Sequence, residues 1–293
     1  MVSGRTLALT DRSSPPERSW LGRLQPVDWL LASYNLVVLL VLLARAPELH
    51  DWPWLALAHL LIFALVLLVR TPGLGRVGRS IAELYPLMLL AGLYSELDVL
   101  NAGRVVHDGL VQQWEFALFG GQPSRDWWRS APSLFWSFVL HGAYLAYYPI
   151  LVMPAFWFAA HRQLHALRRF VFSVMAAFVI CYLFFIFMPV AGPYYAFPRP
   201  SGPFVETLTA RWVYDALSQG SSFGAAFPSS HVAGTVAALL AGWQSSRRLG
   251  LLLLVPTGLL LVAVVYCQMH YAVDALAGLG IGVLAGEAGR RVA

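Results

Sequence analysis

The sequence predicts an all-α protein: a polytopic bundle of about eight transmembrane helices, with interfacial helices on its outer side. Three observations carry this. Of the 293 residues, 58% are hydrophobic and only 12% charged, whereas soluble domains carry about 25% charged residues. Mean hydropathy is +0.63, and apolar runs recur from end to end near the roughly 20 residues a crossing helix needs. The basic residues, all Arg with no Lys, gather on alternate loops. The net charge of +5 then reflects loops facing anionic lipid, and no nucleic-acid partner is expected.

In chain order, the first span, 27–44, follows a polar lead rich in Arg and Pro. No small-residue cleavage site follows it, so it is expected to stay as an anchor. Spans at 53–69 and 81–99 complete an N-terminal unit, 1–100, distinct from an expected catalytic core, 101–293. Residues 100–131 hold Trp114, Trp127 and Trp128 with Phe116 and Phe119. Tryptophan favours the headgroup level, so this stretch reads as interfacial helices. Spans at 132–159 and 170–190 follow, then a second long outer segment, 190–230. There Pro189, Pro193, Pro198, Pro200 and Pro203 bar a continuous helix. The last spans are 231–245, 249–268 and 271–289, and Gly278, Gly282 and Gly286 line one face of the final one for close packing. Cys181 and Cys267 lie inside apolar runs, which excludes a disulfide framework or a Cys-rich metal site.

The arginines set the expected topology. Arg5, Arg12, Arg18 and Arg23 precede the first span, and Arg70, Arg76 and Arg79 follow the second. Arg162, Arg168 and Arg169 follow the fourth, Arg247 and Arg248 the sixth, and Arg290 and Arg291 close the chain. The positive-inside rule puts both termini in the cytoplasm, which requires an even number of spans. His231, His270 and Asp274 then fall at the non-cytoplasmic face. Arg-only usage fits a GC-rich genome, and a bacterial inner membrane is the expected location.

Two strings carry chemistry: Phe227-Pro228-Ser229-Ser230-His231 and His270-Tyr271-Ala272-Val273-Asp274. His270 and Asp274, four apart, share one helix face. A carboxylate there fixes the imidazole tautomer and leaves the other ring nitrogen free to attack. Ionisable residues at a membrane edge are rare and tend to be functional. In the first string Pro228 keeps the chain out of helix, and Ser229 or Ser230 caps the helix that follows. Its first turn suits a phosphate oxygen, with His231 beside it as a proton donor. By contrast His141, Tyr144, Tyr147 and Tyr148 read as packing with local hydrogen bonds. Glu96, Asp98, Asp108 and Glu115 are explained by solvated edge positions as readily as by a cation or a polar acceptor. Tyr194 and Tyr195 read as interface anchors.

Together the two strings resemble the type 2 phosphatidic acid phosphatase superfamily, and most closely its inositol phosphorylceramide synthase and sphingomyelin synthase branch. The resemblance spans roughly 110–293 and includes Phe119-Gly120-Gly121-Gln122-Pro123-Ser124 and Pro189-Val190-Ala191-Gly192-Pro193. It implies a His-His-Asp triad in which His270 becomes a phosphohistidine and Asp274 orients it. His231 acts as general acid for the leaving alcohol and then as base for the acceptor. It also implies double displacement without metal or cofactor, on a membrane lipid substrate with an alcohol or water as acceptor. Ser229, Ser230, Arg199 and Tyr271 are the candidate substrate-binding residues. The phosphatase branch has Lys and Arg-Pro in its first motif and Ser-Arg before the nucleophile. Here Gly192 stands seven residues before Arg199, and Ala263 and Val264 occupy the Ser-Arg positions. The incomplete clamp favours the synthase-like branch and transfer to inositol or a lipid hydroxyl. A lipid phosphatase acting on phosphatidic acid or a polyprenyl phosphate is the alternative. A lipid carrier without chemistry lacks the inverted repeats and midplane helix breaks expected of it. An intramembrane serine protease is disfavoured by the spacing of Ser229 and Ser230 from His231.

Overall fold

The computed structural model describes residues 20–292 other than Pro72 and Ser221. Arg5, Arg12 and Arg18 of the topology argument lie outside the described residues. The N-terminal unit contains α1 (Pro26–Ala44), α2 (Trp52–Leu68) and α3 (Arg76–Asn101). The remainder contains α4 (Asp108–Phe119), α5 (Pro123–Ser130), α6 (Leu134–Leu145), α7 (Tyr147–Ala160) and α8 (Leu164–Phe187). After the short α9 (Pro193–Ala196) come α10 (Leu208–Gly220), α11 (Ser230–Ser245), α12 (Arg247–Tyr266) and α13 (Ala272–Val292). The protein is an all-α bundle. Pro26–Ala44, Leu134–Ala160, Leu164–Phe187, Arg247–Tyr266 and Ala272–Val292 are long and apolar enough to cross a membrane, which makes the chain an integral membrane protein. The shorter Trp52–Leu68 is also apolar.

Each expected span corresponds to a helix, with one difference. The run at 132–159 is interrupted at Ala146. Pro149 lacks the N–H that would bond the Leu145 carbonyl, and its ring crowds that carbonyl. The outer segment 100–131 folds into α4 and α5. The proline-rich segment after 190 holds only the single turn of α9 and a 3-10 turn at Gly202–Val205 before it forms α10.

Helix α8, the most buried of the five crossing helices, is the hub. It packs against α11, α13, α3, α1 and α7, and its Phe170, Val174, Phe178 and Phe185 are buried in the main core. A second core, with Leu140, Val232, Val236 and Leu260, joins α6, α11, α12 and α13. The glycine face of α13 lies against α11. A Cβ at Gly278 would stand 2.5 Å from the Ser229 carbonyl oxygen, one at Gly282 2.7 Å from that of Ala233, and one at Gly286 2.8 Å from the Leu240 side chain. Two ion networks tie the N-terminal helices down. Arg70 bonds Asp28 at 2.7 and 3.0 Å, while Arg168 bonds Glu83 at 2.6 Å, linking α1, α3 and α8. Deeper in, Glu96 accepts from Tyr34 at 3.0 Å and pairs with His59 at 2.8 Å.

The glycine interface gives a paired test. Gly282→Ala is expected to destabilise the protein by about 1–3 kcal/mol through overpacking against backbone. A Cβ at Gly280 meets nothing within 4 Å, so Gly280→Ala is expected to leave stability unchanged or raise it by up to about 1 kcal/mol through helix propensity. Thermal unfolding of the two variants in detergent checks both signs.

Candidate active site

The site lies where α11 and α13 begin side by side. Pro228 ends the irregular segment, and Ser229 is the N-cap of α11, its Oγ accepting from the Val232 N–H at 3.4 Å. The Ser229 N–H donates to the Asp274 carbonyl at 3.0 Å, locking the two helix starts together. Ser230 and His231 occupy the first turn of α11, and Ser230 is only 2% exposed. Across from them, α12 ends at Tyr266 and the chain turns through Gln268, whose φ is 57°. That turn delivers His270 just ahead of α13. Gln268 is held on every side: its Oε1 accepts from Trp128 Nε1 at 3.0 Å and Arg129 Nη1 at 2.8 Å, and its Nε2 donates to the carbonyls of Pro193 and Pro198.

The structure brings His231, His270 and Asp274 together. His270 Nδ1 lies 2.9 Å from the Ala226 carbonyl oxygen and 3.5 Å from Asp274 Oδ2. A carbonyl oxygen can only accept, so Nδ1 carries the proton and Nε2 keeps its lone pair. That Nε2 faces His231 Nδ1 at 3.4 Å. His231 Nε2 in turn lies 3.1 Å from the Tyr144 hydroxyl, with the two rings stacked at 4.8 Å. Asp274 is fully buried, its Oδ2 accepts from the Tyr271 N–H at 2.8 Å, and its Oδ1 has no partner.

The other expected site residues are placed differently. Ser230 lines the cavity described below, next to His231. Ser229 is fully buried and serves the cap. Tyr271 is fully buried too, its hydroxyl donating to Asp108 Oδ1 at 2.9 Å and accepting from Gln112 Nε2 at 2.9 Å. Arg199 is exposed, its guanidinium 4.6 Å from the Tyr194 ring centroid, and it does not line the cavity.

A cavity of about 710 Å³ opens beside His231, within the range of small-molecule sites. Its polar end is Tyr94, Tyr144, Tyr147, Tyr148, Ser230 and His231, and beyond them it is walled by aliphatic residues of α3 and α7. Exposed Met88 and Phe156 form its lips, so it opens sideways between these two helices. Tyr144 and Tyr147 flank the break in the α6–α7 run, so Pro149 places part of this lining. The expectation of mere packing is corrected for Tyr144, Tyr147 and Tyr148. It holds for His141, which bonds the Ser137 carbonyl one turn back.

The acidic edge residues are also corrected. Asp108 and Glu115 are buried. Asp108 accepts from the N–H groups of Ala191 and Gly192, both at 2.8 Å. Gly192 needs its glycine there: φ is 94°, and a Cβ would lie 2.8 Å from that of Ala226. Glu115 accepts from the Ala272 N–H at 2.7 Å and from Ser124 Oγ at 3.4 Å. The sequence signal was their spacing: on α4, Asp108, Gln112 and Glu115 recur at three and four residues and form one stripe.

A family model described as the PAP2 superfamily matches residues 114–287. The chain belongs to the PAP2 superfamily. Comparison with curated proteins and with solved structures finds no match. Superfamily membership makes the chain an enzyme of the lipid phosphatase and phosphotransferase type. The match leaves α1, α2, α3 and the start of α4 outside it, although α3 supplies one wall of the cavity.

Asp108→Ala strips three donors of their acceptor at once. It is expected to cost at least about 2 kcal/mol of stability and to expose the 189–200 segment to limited proteolysis before the rest of the chain, read by mass spectrometry of the first cleavage sites.

Proposed function

We propose that this PAP2-superfamily protein is a membrane lipid phosphotransferase that carries a phospho-headgroup on His270 and passes it to an alcohol such as inositol or a lipid hydroxyl. The observation that carries this reading is the polarity of the histidine pair. The Ala226 carbonyl and Asp274 hold the Nδ1 proton of His270 and leave the Nε2 lone pair facing His231 Nδ1. In the first half-reaction that lone pair attacks phosphorus, the bond from phosphorus to the leaving oxygen breaks, and His231, doubly protonated in the substrate complex, gives its Nδ1 proton to that oxygen and becomes neutral. In the second, the acceptor hydroxyl gives its proton to His231, its oxygen attacks phosphorus, and the P–N bond breaks. Tyr144 supports His231 through its other nitrogen. His231 stands in the first turn of α11, where a helix start suits phosphate oxygens.

The sideways-open apolar cavity supports a lipid entering from the bilayer. The arginine distribution supports a site at the non-cytoplasmic face of a bacterial inner membrane, with both termini cytoplasmic. Transfer is favoured over hydrolysis because the sequence has Gly192 where a phosphatase clamp has Lys and Ala263-Val264 where it has Ser-Arg, and Arg199 stacks on Tyr194 outside the cavity. With water as acceptor the same two half-reactions would give a phosphatase.

The test is incubation of purified protein with a panel of lipid phosphates and phosphodiesters, with and without acceptor alcohols, read by mass spectrometry. His270→Ala is expected to abolish both turnover and an acid-labile phosphoenzyme. His231→Ala is expected to lower kcat by about 10²–10⁴-fold, the usual range for a general acid–base group. Unchanged turnover in His270→Ala overturns the assignment, and product that forms only with water replaces transferase by phosphatase.

A further inference from the structure

Glu115 sits beneath the catalytic turn and does no work in the reaction as written above. It is fully buried, and its Oε1 accepts from the N–H of Ala272, the first residue of α13. The preceding N–H, that of Tyr271, is taken by Asp274. Two carboxylates from different helices thus share the start of α13, where the helix presents unpaired N–H groups and partial positive charge. His270 precedes these two N–H groups, so the peptides that carry the nucleophile are pinned from below by α4.

We propose that Glu115 is a positioning residue of the phosphoryl-transfer site, and that its ionisation sets both the hold on the His270–Asp274 turn and the charge that this pair faces. The inference rests on the phosphohistidine reading. Ionised Glu115 would bind the Ala272 N–H more tightly, since a charged acceptor makes a bond about twice as strong as a neutral one. It would also add a negative charge beside Asp274, which steadies the positive charge that develops on His270 as its Nε2 bonds phosphorus. Both effects vanish when Glu115 is protonated.

The surroundings place that change near neutrality. Burial pushes the Glu115 carboxyl up to about 7, against the opposing bond from Ala272, with the Asp274 charge adding to the rise. The charged groups that act on it are Asp274 on α13 and Arg125 on α5; on its own helix Asp108 is bound to Tyr271, and in the turn His270 is paired with Asp274. Only Arg125 among these carries a permanent positive charge, and it is bound to Asp126 at 2.6 and 2.9 Å. Glu115 therefore has no ion-pair partner of its own among the described residues.

The decisive pair is Glu115→Gln, which keeps a carbonyl oxygen for the Ala272 N–H but cannot ionise, and Glu115→Ala, which removes the acceptor. In isotope-labelled wild-type protein the Glu115 carboxyl resonance is expected to titrate near pH 7, and the backbone amide resonance of Ala272, which it accepts from, to follow the same step. Glu115→Gln is expected to remove that step while folding as wild type. In the lipid-phosphate assay, wild-type kcat is expected to rise with pH through the same range. Glu115→Gln should lose this rise with KM within about twofold, and Glu115→Ala should lose at least about tenfold in kcat at every pH, the scale of one lost hydrogen bond to a charged group. An Ala272 amide pH profile identical in wild type and Glu115→Gln overturns the inference, and needs no turnover to be read. Activity retained in His270→Ala would instead overturn the phosphohistidine reading. Inactive His270→Ala beside wild-type pH profiles in both Glu115 variants removes Glu115 from the mechanism and leaves that reading standing.

Discussion

The close approach of α11 to α13 is the constraint from which the site follows. At Gly278 the helices meet so tightly that a single methyl group would strike the Ser229 carbonyl at 2.5 Å. The same juncture is sealed by the Ser229 N–H on the Asp274 carbonyl. Because both elements are helices and both start here, their first residues are brought level. His231 on one and His270 ahead of the other then come within 3.4 Å. In a bilayer no hydrophobic gradient drives helices together, so small residues and close backbone packing supply the contact. The glycine stripe therefore sets the distance between two side chains that lie 39 residues apart.

Much of this was legible in the chain. The stripe at 278, 282 and 286 follows from its four-residue period, and the helices follow from apolar runs bounded by arginine and proline. The approach of His270 to Asp274 was expected from their i, i+4 spacing on one helix, but His270 stands in the turn ahead of α13 and reaches Asp274 from there at 3.5 Å. Other features were hidden for physical reasons. That the Ala226 carbonyl is the nearer partner of His270 Nδ1 depends on a loop laid beside Val190, whose carbonyl and N–H bond Ala226 and Gly224. No side-chain pattern announces a backbone acceptor. Burial of Asp108 and Glu115 was hidden because an acidic stripe on a short amphipathic helix looks the same whether it faces water or exposed N–H groups. The break at Ala146 was not read from the sequence, since a proline near the start of a helix is tolerated. Here the start is itself the break.

The N-terminal helices gain a purpose from the cavity. They lie outside the superfamily match, yet α3 contributes Leu84, Leu87, Met88, Ala91 and Tyr94 to the wall beside His231. Helix α3 is the least apolar of the helices assigned to spans, with Glu83 and Glu96 on it buried. Charged groups are costly inside a bundle unless paired, and each of these is paired: Glu83 with Arg70 and Arg168, Glu96 with His59 and Tyr34. Partners drawn from α1, α2, the residues just after α2, and α8 fix α3 in place while its residues from Leu84 to Tyr94 line the cavity.

The acid–base groups are likewise held mostly by backbone. Ala226 offers a carbonyl to His270, the start of α13 offers N–H groups to Asp274 and Glu115, and the loop at 191–192 offers N–H groups to Asp108. Peptide dipoles are fixed by the fold and do not reorganise as charge moves. A site built from them can dispense with some of the lysine and arginine that a phosphate would otherwise demand, because the helix ends supply partial positive charge. Such charge is weaker than a guanidinium and does not follow its ligand, so it depends on the ligand being positioned by something else. On the proposed reading that something is the apolar part of the substrate, held in the cavity between α3 and α7, with the phosphate presented to His231 at its polar end.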